Sequence, residues 1–434
     1  MDSLRKYKQD ITMNKCIFTI VAKNYIGLGQ ILEQSVRNHH NDIDFYIFVA
    51  DEFAVMPDNL NSNIIIAKSN LGYTGSEWTD MSFKYDLTEF CTSIKPGCFQ
   101  HLFEKGYDAV VYLDPDIYVF SPLTSVFDKL KNYDITLTPQ IAGIHINYIG
   151  EHPEWAMNVN GIFNLGFCGM KSTKLTDKIL SWWRVRLMDN AFMDRSVGNF
   201  TDQKWMDWMP GFLGNDHLYI HHELGMNMAP WNFFEREIFV REDNRLFVRY
   251  RTNDNPQRED ALVFLHFAGY DYQKMKEGVI ARKRIENLQE YDDLSLATNI
   301  YCKAIIQHQA TFDKYISYPY SYAIYDNGDR IASFHRRLYH GMTEAGISYA
   351  DPFATGKRSF HSQIKRKKMI ISTNTDKLNK RNIEGLDKKK RMIGTLFSLL
   401  YRVMGYKRYS LFVKSLYNYC RPELHTFLIH KAKR

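Results

Sequence analysis

The chain has 434 residues, 45% of them hydrophobic and 15% aromatic, with 56 Lys and Arg against 49 Asp and Glu for a formal net charge of +7. That composition supports a sizeable core and excludes widespread disorder. Six scattered cysteines without a Cys-x-x-Cys pair give neither a zinc site nor a disulfide framework. The start, Met1 to Thr12, is polar and charged, and no apolar run reaches the roughly 18 residues of a bilayer span, so neither a secretion signal nor a transmembrane helix is expected. Charge is unevenly placed. From Asp351 to Arg434 there are 21 Lys and Arg against 5 Asp and Glu, a local +16, which leaves −9 on residues 1–350. An acidic body with a cationic tail differs from a chain that is basic throughout, as many nucleic-acid binders are.

The first half alternates short apolar runs with helical patterns. Cys16–Ala22 reads as a strand, followed by Leu28, Ile31, Leu32 and Val36 at helical spacing; Phe45–Asp51, Ile64–Ala67 and Ala109–Leu113 read as further strands. Such a βαβ series predicts an α/β fold, a mostly parallel sheet flanked by helices. Gly27-Leu28-Gly29 hints at a dinucleotide fingerprint, but Leu32 stands where the third glycine belongs, and NAD is set aside. Asp134–Thr138, Gly161–Met170, Leu218–His222 and Leu262–Phe267 read as later strands, and Tyr301–Ala350 as helical packing. No internal repeat is visible. The expected divisions are a catalytic domain over 13–275, a helical packing region over 276–350 and a basic, partly amphipathic helical tail over 351–434.

Asp114-Pro115-Asp116 directly follows the apolar strand Ala109–Leu113. Residues at i and i+2 of an extended segment point the same way, so both carboxylates can reach one divalent cation, at the strand end where α/β enzymes place chemistry. The competing reading is a surface turn. Five further segments accompany it in order: Ala22-Lys23-Asn24-Tyr25 after the first strand, Lys95-Pro96 in a helix-like stretch, Phe163-Asn164-Leu165-Gly166, Thr201-Asp202-Gln203, and Leu265-His266-Phe267-Ala268-Gly269. This series resembles the family 8 type of GT-A glycosyltransferase, which includes glycogenin and bacterial lipooligosaccharide galactosyltransferases, over roughly Met13 to Lys274.

The resemblance implies a GT-A fold and a metal-dependent transfer of a hexose from a nucleotide-diphosphate sugar, a UDP-hexose in the first instance, to a glycan or lipid-linked glycan, with retention of configuration. It implies Asp114, Asp116 and His266 as ligands of Mn²⁺ or Mg²⁺. Carboxylates with one imidazole suit such an ion; for His266 a core histidine is the alternative. It also implies Ala22, Asn24 and Tyr25 at the base and ribose, Lys95 at the nucleotide sugar, and Asn164, Asp202 and Gln203 around the donor sugar. Asp202 reads equally as a helix cap. The family's Lys-Pro-Trp-like element after the histidine is missing; Lys274 is the nearest cation available to the diphosphate. Leu71–Met81, with Trp78, and Trp205–Pro210 have no counterpart in the resemblance and read either as acceptor surfaces or as core tryptophans.

In the tail, Lys365–Lys368 and Lys388–Arg391 are four-residue basic clusters, the second leading into the uncharged stretch Met392–Tyr401. An in-plane helix on an anionic membrane, a helical subdomain with a basic face and, third, nucleic-acid binding are the readings. The expected location is cytoplasmic, with peripheral contact at the inner face of the membrane. A sugar-1-phosphate nucleotidyltransferase and a non-catalytic interaction protein on the same fold are the rival functions. The first lacks its Gly-rich, cation-bearing loop at Lys23-Asn24-Tyr25-Ile26, and an intact Asp114, Asp116 and His266 argues against the second.

Overall fold

The structure, a computed structural model, describes residues 13–252, 257–280, 291–370 and 385–430. The strands are β1 Lys15–Val21, β2 Asp44–Val49, β3 Ile64–Ile66, β4 Ala109–Leu113, β5 Ile117–Val119, β6 Ile135–Leu137, β7 Phe167–Lys171, β8 Met193–Asp194, β9 Asn199–Phe200, β10 Leu218–Ile220, β11 Arg236–Val240, β12 Leu246–Tyr250, β13 Glu259–Ala261 and β14 Phe264–His266. Seven of them form one sheet in the order β10-β6-β7-β4-β1-β2-β3. The pairs β1·β2, β2·β3, β1·β4 and β10·β6 are parallel, whereas β7 runs antiparallel to both β4 and β6. The expected α/β architecture with a mostly parallel sheet is thus the one observed.

All five residues of β4 are buried, which is why this strand reads as an unbroken apolar run. Helix Ile26–Arg37 follows β1 and is amphipathic: Ile26, Leu32 and Val36 join the core under the sheet, and Leu28 and Ile31 join a second cluster with Leu265, Phe267 and Tyr301. A Cβ on Gly27 would come within 2.7 Å of the Phe312 backbone, so glycine there lets helix Gln309–Ile316 lie close.

Two compact units are distinguished, one of residues up to Tyr73 with Leu87–Tyr320, the other of Thr74–Asp86 with Ser321 onward. In the second unit the helix Gly75–Lys84 opens with a capping box, Thr74 Oγ1 accepting from Glu77 N at 3.2 Å and Glu77 Oε2 accepting from Thr74 N at 2.7 Å. Trp78 is buried there and donates from Nε1 to the Tyr322 hydroxyl at 2.8 Å, the core reading of that tryptophan. Buried Arg336 donates to the carbonyls of Phe83 and Tyr85 at 2.6 and 2.8 Å, tying the segment to helix Ser333–Glu344. The stretch expected to be helical between Tyr301 and Ala350 comprises most of Ser295–Gln307, all of Gln309–Ile316 and Ser333–Glu344, with turns between them.

One expected strand is shorter than its apolar pattern. Gly161–Met170 reads as a strand, yet only Phe167 onward pairs with β4. Asn164 Oδ1 accepts from Gly166 N at 3.1 Å, a local side-chain turn that replaces the ladder and places Asn164 in a loop.

Candidate functional site

The carboxyl edges of β1 and β4 lie side by side, and the site is built there. Beyond β4, Asp114 N donates to Gly166 O at 2.8 Å and Ile117 N donates to Asp114 O at 3.0 Å, so Asp114-Pro115-Asp116 forms a tight turn into β5. Antiparallel β14 pairs with β5 with His266 opposite Ile117, and Phe267 N donates to Asp116 O at 2.8 Å. Sequence-distant His266 is thereby set against the turn: its Nε2 is 3.0 Å from Asp116 Oδ1 and 3.6 Å from Asp114 Oδ2.

The three ligand atoms lie within 4.8 Å of one another, and among the described residues no other such cluster of three or more His, Cys, Asp or Glu occurs. The carboxylates keep 28% and 22% exposure while the imidazole is buried. Burial raises the Asp114 carboxyl above its ordinary range, aided by the neighbouring Asp116 charge and opposed by His266 and Lys95. For Asp116 burial acts in the same sense, but the charge and hydrogen bond of His266 outweigh it and hold this carboxyl low. The His266 imidazole, which burial would lower, is raised by Asp116 and Asp114. Two part-exposed acids and a buried imidazole that hold one another's charge form a donor set that fits Mn²⁺ or Mg²⁺.

The surroundings fix this trio. Tyr112 donates its hydroxyl to Asp114 Oδ1 at 2.5 Å, the Tyr272 hydroxyl donates to Phe267 O at 3.4 Å, and the Trp231 ring stands edge-on to His266 with centroids 5.2 Å apart. His266 Nδ1 is buried without a hydrogen-bond partner among the described residues. A Cβ on Gly166 would come within 2.6 Å of His266 Cε1 and 2.8 Å of Asn164 Oδ1, so only glycine fits beneath the imidazole.

The other expected residues divide into three groups. Asn164 joins the site: Oδ1 also accepts from Asn227 Nδ2 at 3.0 Å, and Nδ2 donates to Gln203 Oε1 at 3.2 Å. Gln203 Oε1 accepts a second bond from Leu165 N at 3.2 Å and Nε2 donates to Asn160 O at 3.1 Å, so both ends of its amide are engaged. Lys95 and Asp202 form a second group, a buried ion pair. Lys95 Nζ also donates to Leu165 O at 2.8 Å and lies 3.9 Å above the Tyr112 ring, while Asp202 Oδ1 accepts from Thr201 Oγ1 at 3.1 Å. Asp202 does not cap the helix that follows it. Ala22, Asn24 and Tyr25 form the third group, at the one-turn helix after β1. Ala22 is buried, Asn24 Oδ1 is buried without a hydrogen-bond partner among the described residues, and the Tyr25 phenol is pushed up by burial and by the charges of Asp116 and Asp271. Lys274 is exposed on helix Tyr272–Lys276, whose amino end Asp271 caps.

Tyr112, Asn227, Trp231 and Tyr272 were not singled out from the sequence. Tyr112 and Tyr272 lie two residues from Asp114 and three beyond Gly269, the signal by which adjacency alone finds them. Asn227 and Trp231 flank Met228, whose carbonyl accepts from His266 N at 2.8 Å, so only the fold brings them to the site.

No family model matches the chain. A curated relative, the uncharacterized protein YfnF of Bacillus subtilis strain 168, is 23% identical over 312 residues, which are 69% of this chain and 96% of that protein. Among solved structures the chain is similar to the galactosyltransferase LgtC with donor and acceptor sugar analogues, at 15% identity and TM-score 0.36, covering 70% of this chain and 97% of that one. It is also similar to a glycosyltransferase involved in glycosylating the major capsid of PBCV-1, at 11% identity and TM-score 0.31 over 60% and 95%, and to mouse xyloside xylosyltransferase 1, at 11% and 0.32 over 50% and 87%. These three are glycosyltransferases. At such scores the likeness carries no weight for the reaction, which is read from the side chains.

Proposed function

We propose that the first unit is a metal-dependent glycosyltransferase that moves a hexose from a nucleotide-diphosphate sugar, a UDP-hexose in the first instance, to a glycan or lipid-linked glycan, with retention of configuration. The observation that carries this reading is the cluster of Asp114, Asp116 and His266, convergent within 4.8 Å at the carboxyl edge of a buried strand. Asp114, Asp116 and His266 would hold a divalent cation there, which would supply positive charge against that accumulating on the departing diphosphate. Around it, Tyr112 holds the Asp114 carboxylate, His266 holds that of Asp116, and Gly166 and Trp231 fix the imidazole. Tyr25, whose phenol senses the Asp116 charge, and Asn24 beside it after β1 are the residues proposed for the base and ribose. Exposed Lys274 supplies a further cation for the diphosphate.

Transfer breaks the bond from the anomeric carbon to the diphosphate oxygen and forms one to the acceptor oxygen, whose proton leaves with the diphosphate or to water. Asp202, held by Lys95, and Gln203, whose carbonyl already accepts two bonds, orient the sugar side of the site and are not free nucleophiles. The test is metal-dependent hydrolysis of nucleotide sugars, with Asp116→Ala as the control. Hydrolysis of a UDP-hexose that requires Mn²⁺ or Mg²⁺ and Asp116 supports the reading; hydrolysis equal without metal contradicts it.

The C-terminal helix fits attachment at the inner face of an anionic membrane. Helix Leu386–Tyr419 is interrupted at Gly405 (φ 70°, ψ 168°), and the edge of the Tyr409 ring meets Tyr401 at 5.4 Å, so its halves fold back on each other. No Asp or Glu occurs between Asp387 and Glu423. Lys388, Lys389, Lys390, Arg391, Arg402 and Lys407 are exposed beside exposed Met392, Ile393, Leu396, Leu399 and Val403. Cations next to apolar side chains on a short helix suit the headgroup boundary. Among the described residues no helix is long and apolar enough to cross a membrane.

A further inference from the structure

The segment Gln203–Trp208 is a 3-10 helix that continues into helix Met209–His217. Its first residue belongs to the site just described. Its far end opens into a cavity of about 710 Å³ lined by Asn199, Lys204, Trp205, Asp207, Trp208 and Phe212. That volume lies within the range of small-ligand pockets.

The aromatic wall is layered. Trp182 meets Trp205 at 5.9 Å and Phe212 at 5.3 Å between centroids, edge to face in both cases, and Trp205 Nε1 donates to Asn190 O at 3.2 Å, so the back of the wall is fixed. In front, Trp208 and Phe212 stand one helical turn apart, centroids 5.7 Å, with 56% and 51% of their surface exposed. The rim is charged and hydrogen-bonding. Lys204 Nζ donates to Asp207 Oδ2 at 2.8 Å and to Asn158 O at 2.5 Å, and Asp207 Oδ1 accepts from Ile162 N at 2.9 Å. An apolar partner laid on this surface would strip water from Lys204 and Asp207 without replacing its hydrogen bonds. A hexose ring has a CH-rich face for an indole and hydroxyls at its edge for the carboxylate and ammonium.

We propose that this cavity is a saccharide subsite for the non-reacting end of the acceptor, with Trp208 and Phe212 as the stacking platform and Asp207, Lys204 and Asn199 as hydroxyl partners. The inference rests on the glycosyltransferase reading for the word acceptor, and on the cavity alone for the word saccharide. Distance agrees with the role. At about 2.0 Å of rise per residue, the 3-10 helix sets Trp208 on the order of 10 Å from Gln203, and Gln203 is hydrogen-bonded to Asn164, which packs against Gly166 under His266. A short oligosaccharide reaching from the cluster along this helix meets the platform, and the helix is the ruler that sets its length.

The test uses the full chain without metal or donor, titrated with lactose, maltose and cellobiose and followed by tryptophan fluorescence and calorimetry. Saturable binding of at least one disaccharide is expected, weakened about tenfold or more in Trp208→Ala and Phe212→Ala and largely retained in Trp208→Phe, which keeps an aromatic face. Melting temperature reports whether each variant folds, and Asp207→Asn supplies a second, milder variant whose binding should also weaken. No response to any of the three disaccharides, equal binding by wild type and the alanine variants, or a dimer that Trp208→Ala dissociates would each overturn the subsite. Since this titration needs neither metal nor nucleotide sugar, donor binding measured on the same preparation separates failure of the subsite from failure of the proposed activity.

Discussion

Gly166 shapes the site by what it lacks. Its Cα hydrogen faces the imidazole of His266, and a methyl group would enter the space of His266 Cε1 and Asn164 Oδ1 together. Gly166→Ala is therefore expected to displace the imidazole and weaken Mn²⁺ binding about tenfold, in the range seen for lost supports of metal ligands; an unchanged calorimetric titration would count against that role. His266→Ala removes a proposed ligand outright and should cost at least as much metal affinity, whereas a core histidine would show its loss mainly as a lower melting temperature. The Lys95–Asp202 pair makes a different demand. Both side chains are buried, so Lys95→Met leaves an uncompensated carboxylate and is expected to cost about 3–5 kcal/mol in denaturant unfolding, much of it recovered in the Lys95→Met, Asp202→Leu double variant. Equal stability of the single variant and wild type would show that the pair is not carrying its charge buried. The motif Asp114-Pro115-Asp116 was legible because both acids lie on one short segment after an apolar run. The ion pair was not, because its members are 107 residues apart in the chain and only the fold brings them together.

At the scale of elements, period and burial explain what the sequence shows. β1, β2, β3 and β4 stand within two residues of their apolar runs because buried parallel strands carry little else. Direction is not encoded that way, and the antiparallel course of β7 and the loop at Asn164 came from hydrogen bonds that no periodicity reports. After β10, the pair His221 and Glu223 offers a pH test. Burial alone would raise the Glu223 carboxyl, yet the hydrogen bond and charge of His221, 3.2 Å away, bring it down to about 2. A carboxyl depressed in the folded state stabilises the protein above its unfolded pKa, and that contribution is lost as pH falls toward the folded value. Wild type should thus lose on the order of a few kcal/mol between roughly pH 5 and pH 2 that Glu223→Gln lacks. Parallel pH profiles of the two proteins in that window would contradict the assignment.

For the whole molecule, the two ends of the charge distribution fall to different chemistry. The acidic 1–350 stretch holds the candidate metal cluster, and the cationic residues from Asp351 onward include the helix Leu386–Tyr419. If each exposed cation near an anionic surface contributes about 1 kcal/mol, truncation before Lys365 should release the protein from phosphatidylserine vesicles; co-sedimentation unaffected by truncation would rule out the tail as the anchor. Basic clusters and an apolar stretch announce this helix in the sequence. Its break at Gly405 and the folding back of its halves do not, since a positive φ is a property of the folded chain. The inclusion of Thr74–Asp86 in the second unit was equally hidden, because a segment of 13 residues carries no mark of the unit that will bury it.

The central claim is that Asp114, Asp116 and His266 hold a cation that binds a nucleotide-diphosphate sugar. Thermal unfolding of the full chain with UDP-, GDP-, ADP- and dTDP-hexoses, each with Mn²⁺ and with chelator, tests it most directly. The expected result is a rise in melting temperature with a UDP-hexose that needs Mn²⁺ and vanishes in Asp116→Ala. A chain whose melting temperature is unmoved by every nucleotide sugar in the presence of Mn²⁺, or is raised equally in chelator, would contradict it.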